Sequence, residues 1–385
     1  MFNISLIVFI CLSTIQSRKL NEYCQKITMD EMAVFEGKKL LGKGAFGRVV
    51  DLGNGRVLKV LTVEKDIKRE IEKILKEIDF MSVISDKQPD TDRNKYDTDE
   101  PSNDTYVLQM YSCKYAMQTT DNYVDKVKIG IEMEKLDYDF KKLINKQGGW
   151  HFLYLIDLTR KLLRGLSVMH YWGYAHLDIK PANIMMRTPF EPVLIDFGFV
   201  EKFISTNRKL SEKEVYNKSY KLGMKKGSPM FLDPEVILNG QYSFKTDIYA
   251  LGVTLLSFFD YKINFNELVQ GFKMKKSLED ALNPPANVNR RIQDSWPFYN
   301  ESFRSKQFLP LIKKMVLKSP ARRIYITDCF KILNELEKNY YAFCSRNKAK
   351  NKWCKTKEEY EEYKSVIMRE AVVARVDYQA NKIVI

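Results

Sequence analysis

HLDIKPANIMM, residues 176–186, packs a histidine, an aspartate, a lysine, a proline and an asparagine between apolar runs. A helical stripe precedes it: Leu155, Leu158, Leu162, Leu166 and Met169 recur at the spacing of one helix face and stop near Gly173. An apolar strand follows it, Val193-Leu194-Ile195, and ends in Asp196-Phe197-Gly198. The chain thus passes from helix through a polar loop to a strand that ends in an acid.

Upstream, residues 35–60 (FEGKKLLGKGAFGRVVDLGNGRVLKV) alternate apolar and polar residues around glycines, as β-hairpins do, with Gly53-Asn54-Gly55 as a tight turn. Gly42-Lys43-Gly44-Ala45-Phe46-Gly47-Arg48-Val49 fits G-x-G-x-x-G-x-V, in which glycines let backbone N–H groups approach phosphate oxygens. No helix follows it, which argues against a dinucleotide-binding fold and for a flap over a nucleotide. On the next strand, Arg56-Val57-Leu58-Lys59-Val60, the period of two puts Val57 and Lys59 on one face. A lysine in an apolar strand is costly if buried alone, so it either reaches water or meets a phosphate and a carboxylate. Ile67, Ile71, Ile74 and Ile78 mark one face of a helix over 66–79. Glu70 flanks that face and is the carboxylate chosen for Lys59, with Glu72 on the other flank as the alternative.

Residues 86–105 are polar, acidic and unpatterned, as in an exposed loop, and strand-like runs at 106–116 and 127–133 complete a small sheet. From about residue 138 the periodicity is helical, with a second long apolar helix at 247–259 and no internal repeat. The fold class is α+β, a strand-rich lobe followed by a larger helical one. Its 385 residues, 45% of them hydrophobic, suffice for one large core or two smaller ones. The formal charge of +14 suits anionic partners without identifying one. Zinc-finger, RNA-binding and basic-zipper patterns are absent from the sequence, so no nucleic-acid partner is expected. Residues 337–385 read as a charge-rich, solvated tail carrying an exposed helix.

Ile4 to Leu12 form an apolar run followed by small and polar residues to Ser17, which reads as a secretory signal although no Lys or Arg precedes it. The run is too short to span a bilayer, where about 20 residues are needed, so no membrane span is expected after its removal. An uncleaved anchor and a buried N-terminal strand are the alternatives, and without a signal the chain would be cytoplasmic. Removal takes Cys11 and leaves Cys24, Cys113, Cys329, Cys344 and Cys354, an odd set at irregular spacing that indicates neither a disulfide framework nor a zinc site. Asn103, Asn217 and Asn300 head glycosylation sequons that matter only in the secretory pathway.

In their order and spacing these motifs resemble the eukaryotic protein kinase family over residues 35–336. The resemblance implies a bilobal fold: a small antiparallel β-sheet lobe with one main helix (35–136) and a larger, mainly α-helical lobe (137–336). Residues 1–17 are then the signal, 18–34 an N-terminal extension and 337–385 the tail. ATP and Mg2+ are implied as cofactors and a protein as substrate. His176-Leu177-Asp178 matches the catalytic-loop triplet, which makes Asp178 the residue that accepts or orients the substrate hydroxyl proton. Lys180 resembles the lysine that neutralises the transferred phosphate in serine/threonine kinases. Asn183 and Asp196 match the two magnesium ligands, and Lys59 with its helix glutamate, Glu70, matches the pair that serves the ATP phosphates. Gly42, Lys43, Gly44, Ala45, Phe46 and Gly47 would cover those phosphates. Leu41, Val49, Val57 and Met185 would wall the adenine, with Met133 as gatekeeper and the backbones of Glu134 and Leu136 as base contacts. Phe197 and Gly198 complete the triplet begun by Asp196. Ser228, Glu235, Asp247 and Arg323 match activation-segment and structural positions, with Glu235 expected to pair with Arg323.

Three departures stand out: Leu177 where much of the family has an arginine that clamps an activation-loop phosphate, Asp233 for an alanine, and Tyr249 for a tryptophan. Leu177 removes a regulatory contact and leaves Asp178, Lys180, Asn183 and Asp196 whole. The expectation is a serine/threonine kinase without the phosphate clamp, with Ser211, Tyr216 and Ser219 as candidate phosphosites. Over about eight residues the loop also resembles the Wee/Myt group. A pseudokinase-like nucleotide-binding scaffold and a Tyr-directed or dual-specificity kinase are the alternatives.

Overall fold

The structure, a computed structural model, describes residues 18–44, 47–86, 105–120, 123–140, 151–204, 212–256, 303–347 and 354–380. Residues 1–17, Ala45, Phe46, nearly all of the 86–105 loop with Asn103, Ser211, Asn300 and the end of the 247–259 helix lie outside them. The chain is α+β and divides into two compact units: Met1–Asp90 with Val107–Leu136 and Asp196–Glu201, and Thr91–Tyr106 with Asp137–Ile195 and Lys202–Ile385.

The first unit is built on β1 (Gln25–Lys26), β2 (Leu40–Gly44), β3 (Gly47–Gly53), β4 (Arg56–Val63), β5 (Met110–Thr120) and β6 (Tyr123–Glu134), in spatial order β1-β5-β6-β4-β3-β2. Neighbours are antiparallel except β1, which runs parallel to β5. Gly53, Asn54 and Gly55 take positive φ of 80°, 50° and 73°, the left-handed geometry that a tight hairpin turn demands. β4 is apolar on both faces, because its period of two sends Leu58 and Val60 one way and Val57, Lys59 and Leu61 the other. Leu58 and Val60 pack with Val50, Ala116 and Met32 of α1 (Met29–Glu36), while α2 (Ile67–Asp86) reaches the Lys59 face.

A sheet with two apolar faces needs two covers. A boundary at residue 35 cuts through the first of them, because α1 lies in the supposed extension. Thr28 fixes where α1 begins: its Oγ1 accepts the Glu31 N–H at 3.1 Å while the Glu31 carboxylate accepts the Thr28 N–H at 2.7 Å. The disulfide Cys24–Cys113 then ties the extension to β5. With Cys344–Cys354 it corrects the reading that the odd, irregular set of cysteines indicates no disulfide framework; Cys329 stays free and buried.

The second unit contains β7 (Tyr138–Asp139), α3 (Phe152–Tyr171), β8 (Tyr174–Ala175), β9 (Ile184–Thr188) and β10 (Glu191–Leu194), then α4 (Glu212–Tyr216), α5 (Pro234–Asn239), α6 (Phe244–Leu256), α7 (Phe303–Met315), α8 (Ile326–Asn347) and α9 (Lys357–Ala380). Leu155, Leu158, Leu162, Leu166 and Met169 are all buried on α3, and every residue of α6 is buried. The polar loop 176–183 hangs between α3 and the β9–β10 hairpin, whose register pairs Val193 with Met185.

The start of the charged tail is not solvated, contrary to expectation. α8 continues past residue 336, Cys344 bridges to Cys354, and Tyr360 of α9 stacks on His151 at 5.3 Å between ring centroids, with Tyr340 on the same histidine at 5.7 Å. Composition hid this because Lys357, Glu358, Glu361 and Glu362 face water around one buried tyrosine.

Candidate active site

In the first unit Lys59 sits on β4 between Val49 of β3 and Ile131 of β6. Its Nζ donates to Glu77 Oε1 at 2.7 Å, with side chains only 16% and 8% exposed. Burial alone would push the ammonium down; Glu77 and then Asp196 outweigh it and hold the Lys59 pKa above the ordinary lysine value. The choice of Glu70 is corrected: it lies on the surface and pairs with Lys73 at 2.5 Å, while Glu72 is exposed. Glu77 is seven residues beyond Glu70, which at about 100° per residue returns to within about 20° of the same direction, some two turns further along. The face was right and the turn was wrong.

Asp196 adopts φ of 65°, and Phe197 is buried against Phe80 of α2 at 4.6 Å between centroids, while Gly198 is exposed. Gly47 has φ of 137°, and a Cβ there would fall 2.3 Å from the Val60 carbonyl oxygen, so only glycine lets β3 approach β4 at this point. Of the other residues named for the nucleotide, Gly42 and Lys43 are exposed on β2, as is Leu41 at 44%, and Gly44 ends that strand. Val57 is buried and faces buried Met133 in register. The Glu134 N–H donates to the Gln109 carbonyl at 3.1 Å and the Lys135 N–H to the Gly55 carbonyl at 2.8 Å, fixing the backbone that leads into Leu136.

In the second unit the polar loop closes on Asp178, which is 4% exposed. Its Oδ2 accepts Lys180 Nζ at 2.7 Å and Asn183 Nδ2 at 2.8 Å, and its Oδ1 accepts the Ser228 N–H at 2.8 Å. Lys180 Nζ also donates to Ser228 Oγ at 2.8 Å, and Asn183 Nδ2 to the Asp178 carbonyl at 2.9 Å. Pro181 opens the short 3-10 turn Pro181–Asn183 that aims the asparagine back at the aspartate, with Met185 following on β9. His176 Nε2 donates to the Ile195 carbonyl at 3.1 Å and Nδ1 accepts the Asp178 N–H at 3.3 Å, so its partners assign the ring proton. Asp178, Lys180, Asn183 and Ser228 are thus brought together.

Behind the loop, buried Asp247 of α6 accepts the N–H groups of His176 at 2.9 Å and Leu177 at 2.8 Å, and bonds His170 Nε2 at 2.9 Å. His170 Nδ1 in turn meets Tyr216 Oη at 2.6 Å. The sequence reading missed His170, which lies in the last turn of α3 and is buried there. Leu177 is 4% exposed at φ of 65°, with no water-facing position for a charge.

A second correction concerns Arg323, which is 1% exposed. Its Nη1 and Nη2 bind the two carboxylate oxygens of Asp233, the second at 2.9 Å. Glu235 instead accepts from Asn239 Nδ2 at 2.8 Å. Asp233 caps α5 by accepting the Glu235 N–H at 3.0 Å, and that capping position points a short carboxylate inward while Glu235 starts the helix facing outward.

The family described as protein kinase domain matches residues 84–333, well over half of the chain. The match begins beyond the glycine loop and Lys59. Among curated relatives, myosin light chain kinase 3 of Danio rerio is 25% identical over 253 residues, covering 64% of this chain and 32% of its own length. Its Homo sapiens counterpart is 25% identical over 262 residues (66% and 28%), and myosin light chain kinase 2, skeletal/cardiac muscle, of Rattus norvegicus is 24% identical over 301 residues (76% and 40%). The chain therefore spans less than half the length of these relatives.

Proposed function

Because the chain belongs to the protein kinase family, we propose that it transfers the γ-phosphate of ATP to serine and threonine hydroxyls of protein substrates. The observation that carries this reading is the Asp178 carboxylate, held by three donors at 2.7–2.8 Å. A carboxylate so fixed can orient a substrate hydroxyl and take its proton as the oxygen attacks. Lys180, bonded to Asp178 and to Ser228, brings a positive charge to the same place and offsets charge developing on the transferred group. Its position two residues after Asp178 is what supports serine and threonine as acceptors.

Lys59, kept protonated by Glu77, suits the phosphates of ATP. Asn183 spends its amide nitrogen on Asp178 and so offers Oδ1, while Asp196 offers a carboxylate, the hard oxygens that Mg2+ takes. When bound, Mg2+ neutralises phosphate charge. Leu177 supports transfer without a phosphate-binding arginine, since Asp247 holds the backbone N–H groups of His176 and Leu177 just before Asp178.

Transfer from γ-labelled ATP to a mixed peptide library tests the proposal. The chain from Arg18 onward should label serine or threonine, and Asp178→Asn and Lys59→Met should each lose about a hundredfold or more. Label on tyrosine alone would replace the acceptor class. A folded chain that binds ATP and transfers nothing would be a scaffold.

A secretory location is proposed as well. It is supported by the two cystine bridges, which persist in oxidising compartments, and by an exposed sequon at Asn217. No described helix is long and apolar enough to cross a membrane. Protein from its native source should begin near Arg18 with those cysteines oxidised; an intact Met1 on fully reduced protein would defeat the proposal.

A further inference from the structure

We propose that Tyr216 does the work of the missing phosphate clamp: its hydroxyl, bonded to buried His170, holds the activation segment to the catalytic loop without phosphorylation. The proposal rests on the kinase reading for its consequence, though not for its geometry.

Tyr216 ends α4 and is 6% exposed, so its hydroxyl is sunk rather than presented as a phosphorylation site. The direction of each bond follows from chemistry. The Asp247 carboxylate can only accept, so His170 Nε2 donates to it, and in the neutral ring Nδ1 then accepts the Tyr216 O–H at 2.6 Å. Asp247 also accepts the N–H groups of His176 and Leu177, the two residues before Asp178. One continuous run of hydrogen bonds therefore joins the segment after residue 211 to the backbone that aims the catalytic carboxylate.

Contacts that need no phosphate pin the segment on either side of Tyr216. Glu212 accepts from Thr327 Oγ1 at 2.5 Å, and the Tyr220 ring stacks on Phe203 at 4.2 Å between centroids. Further along, Gly227 has φ of 105°, and a Cβ there would come within 2.8 Å of the Leu177 carbonyl oxygen. The carbonyl of Leu177, the residue that stands in place of the arginine, thus abuts the segment directly. A leucine there, 4% exposed, fits a segment that is held by Tyr216 and needs no anion. Tyr216 is in these terms a positioning residue.

Tyr216→Phe keeps the ring and removes only the hydroxyl, so it separates the anchor from simple core packing. Three readouts decide: peptide phosphorylation before and after phosphatase treatment, ATP affinity, and hydrogen exchange at the His176 and Leu177 amides. The proposal expects phosphatase-treated wild type to keep its rate. Tyr216→Phe should lose about tenfold in kcat with ATP affinity unchanged, and the two amides should exchange faster. His170→Gln cuts the same link from the other side and should give the same pattern. Full activity in Tyr216→Phe, or loss of wild-type activity with phosphatase, overturns the anchor. If wild type transfers no phosphate, the kinase reading falls, and exchange alone judges the anchor: unchanged amides in Tyr216→Phe sink it, faster ones sustain it.

Discussion

Arg323 carries a full charge at 1% exposure, and its neutralisation depends on one short side chain, Asp233. Removing that partner leaves a buried guanidinium uncompensated, at a cost of about 3–5 kcal/mol. Asp233→Ala should therefore lower the denaturant midpoint severely, whereas Glu235→Ala, which loses a surface contact with Asn239, should cost under about 1 kcal/mol. Equal losses in the two variants would contradict the pairing. Lys59 gives the parallel case in the first unit: Glu77→Gln deprives it of its counter-ion and should reduce kcat/KM by about a hundredfold, while Glu70→Gln should change it little. Steady-state kinetics of the two variants check this. Both pairs were half visible in the sequence. Lys59 and Arg323 were named correctly, but a carboxylate partner is chosen by its position along a helix, which a residue pattern does not state.

At the scale of elements, the β4–β5–β6 sheet gathers its own charges. Glu132 on β6 accepts from Arg56 on β4 at 2.8 Å and from Ser112 and Lys114 on β5 at 2.7 and 3.1 Å. Burial would raise the pKa of this carboxyl; the Arg56, Ser112 and Lys114 hydrogen bonds overcome that and bring it down from 4.5 to about 2. A depressed folded-state value means that Glu132 stabilises the unit fully above its ordinary value of 4.5 and ceases to do so as pH falls toward about 2. Thermal unfolding across that window should show Glu132→Gln less stable than wild type at neutral pH and converging with it in acid. The pair Tyr23 Oη to Asp79 Oδ1, at 2.8 Å, similarly links the N-terminal segment to α2, two residues from Glu77. Strand alternation and the Gly53-Asn54-Gly55 turn announced the sheet; nothing local announced that residues 25–36 would supply its outer strand and one of its two covers.

For the molecule as a whole, the folded chain extends past the residues that match the kinase family. That match ends at residue 333, yet His151 at the start of α3 is enclosed by Tyr340 and Tyr360, and Cys344–Cys354 fixes the turn between their helices. A chain ending at Asn347 should melt lower and aggregate more readily than the full chain, because it uncovers that aromatic face and leaves Cys344 unpaired. Tyr360→Ala in the full chain should reproduce part of the loss, as differential scanning would record. The sequence by itself determined the main strands and helices between residues 40 and 256 and their order, the Gly53-Asn54-Gly55 hairpin, and the set Asp178, Lys180 and Asn183, because each depends on residues a few places apart whose spacing fixes their geometry. Only the tertiary structure decided that Lys59 meets Glu77, Arg323 meets Asp233, Cys24 meets Cys113 and Tyr216 meets His170. Periodicity gives the direction a side chain takes about its own axis, whereas these pairings need the displacement between elements far apart in the chain, and packing alone sets that.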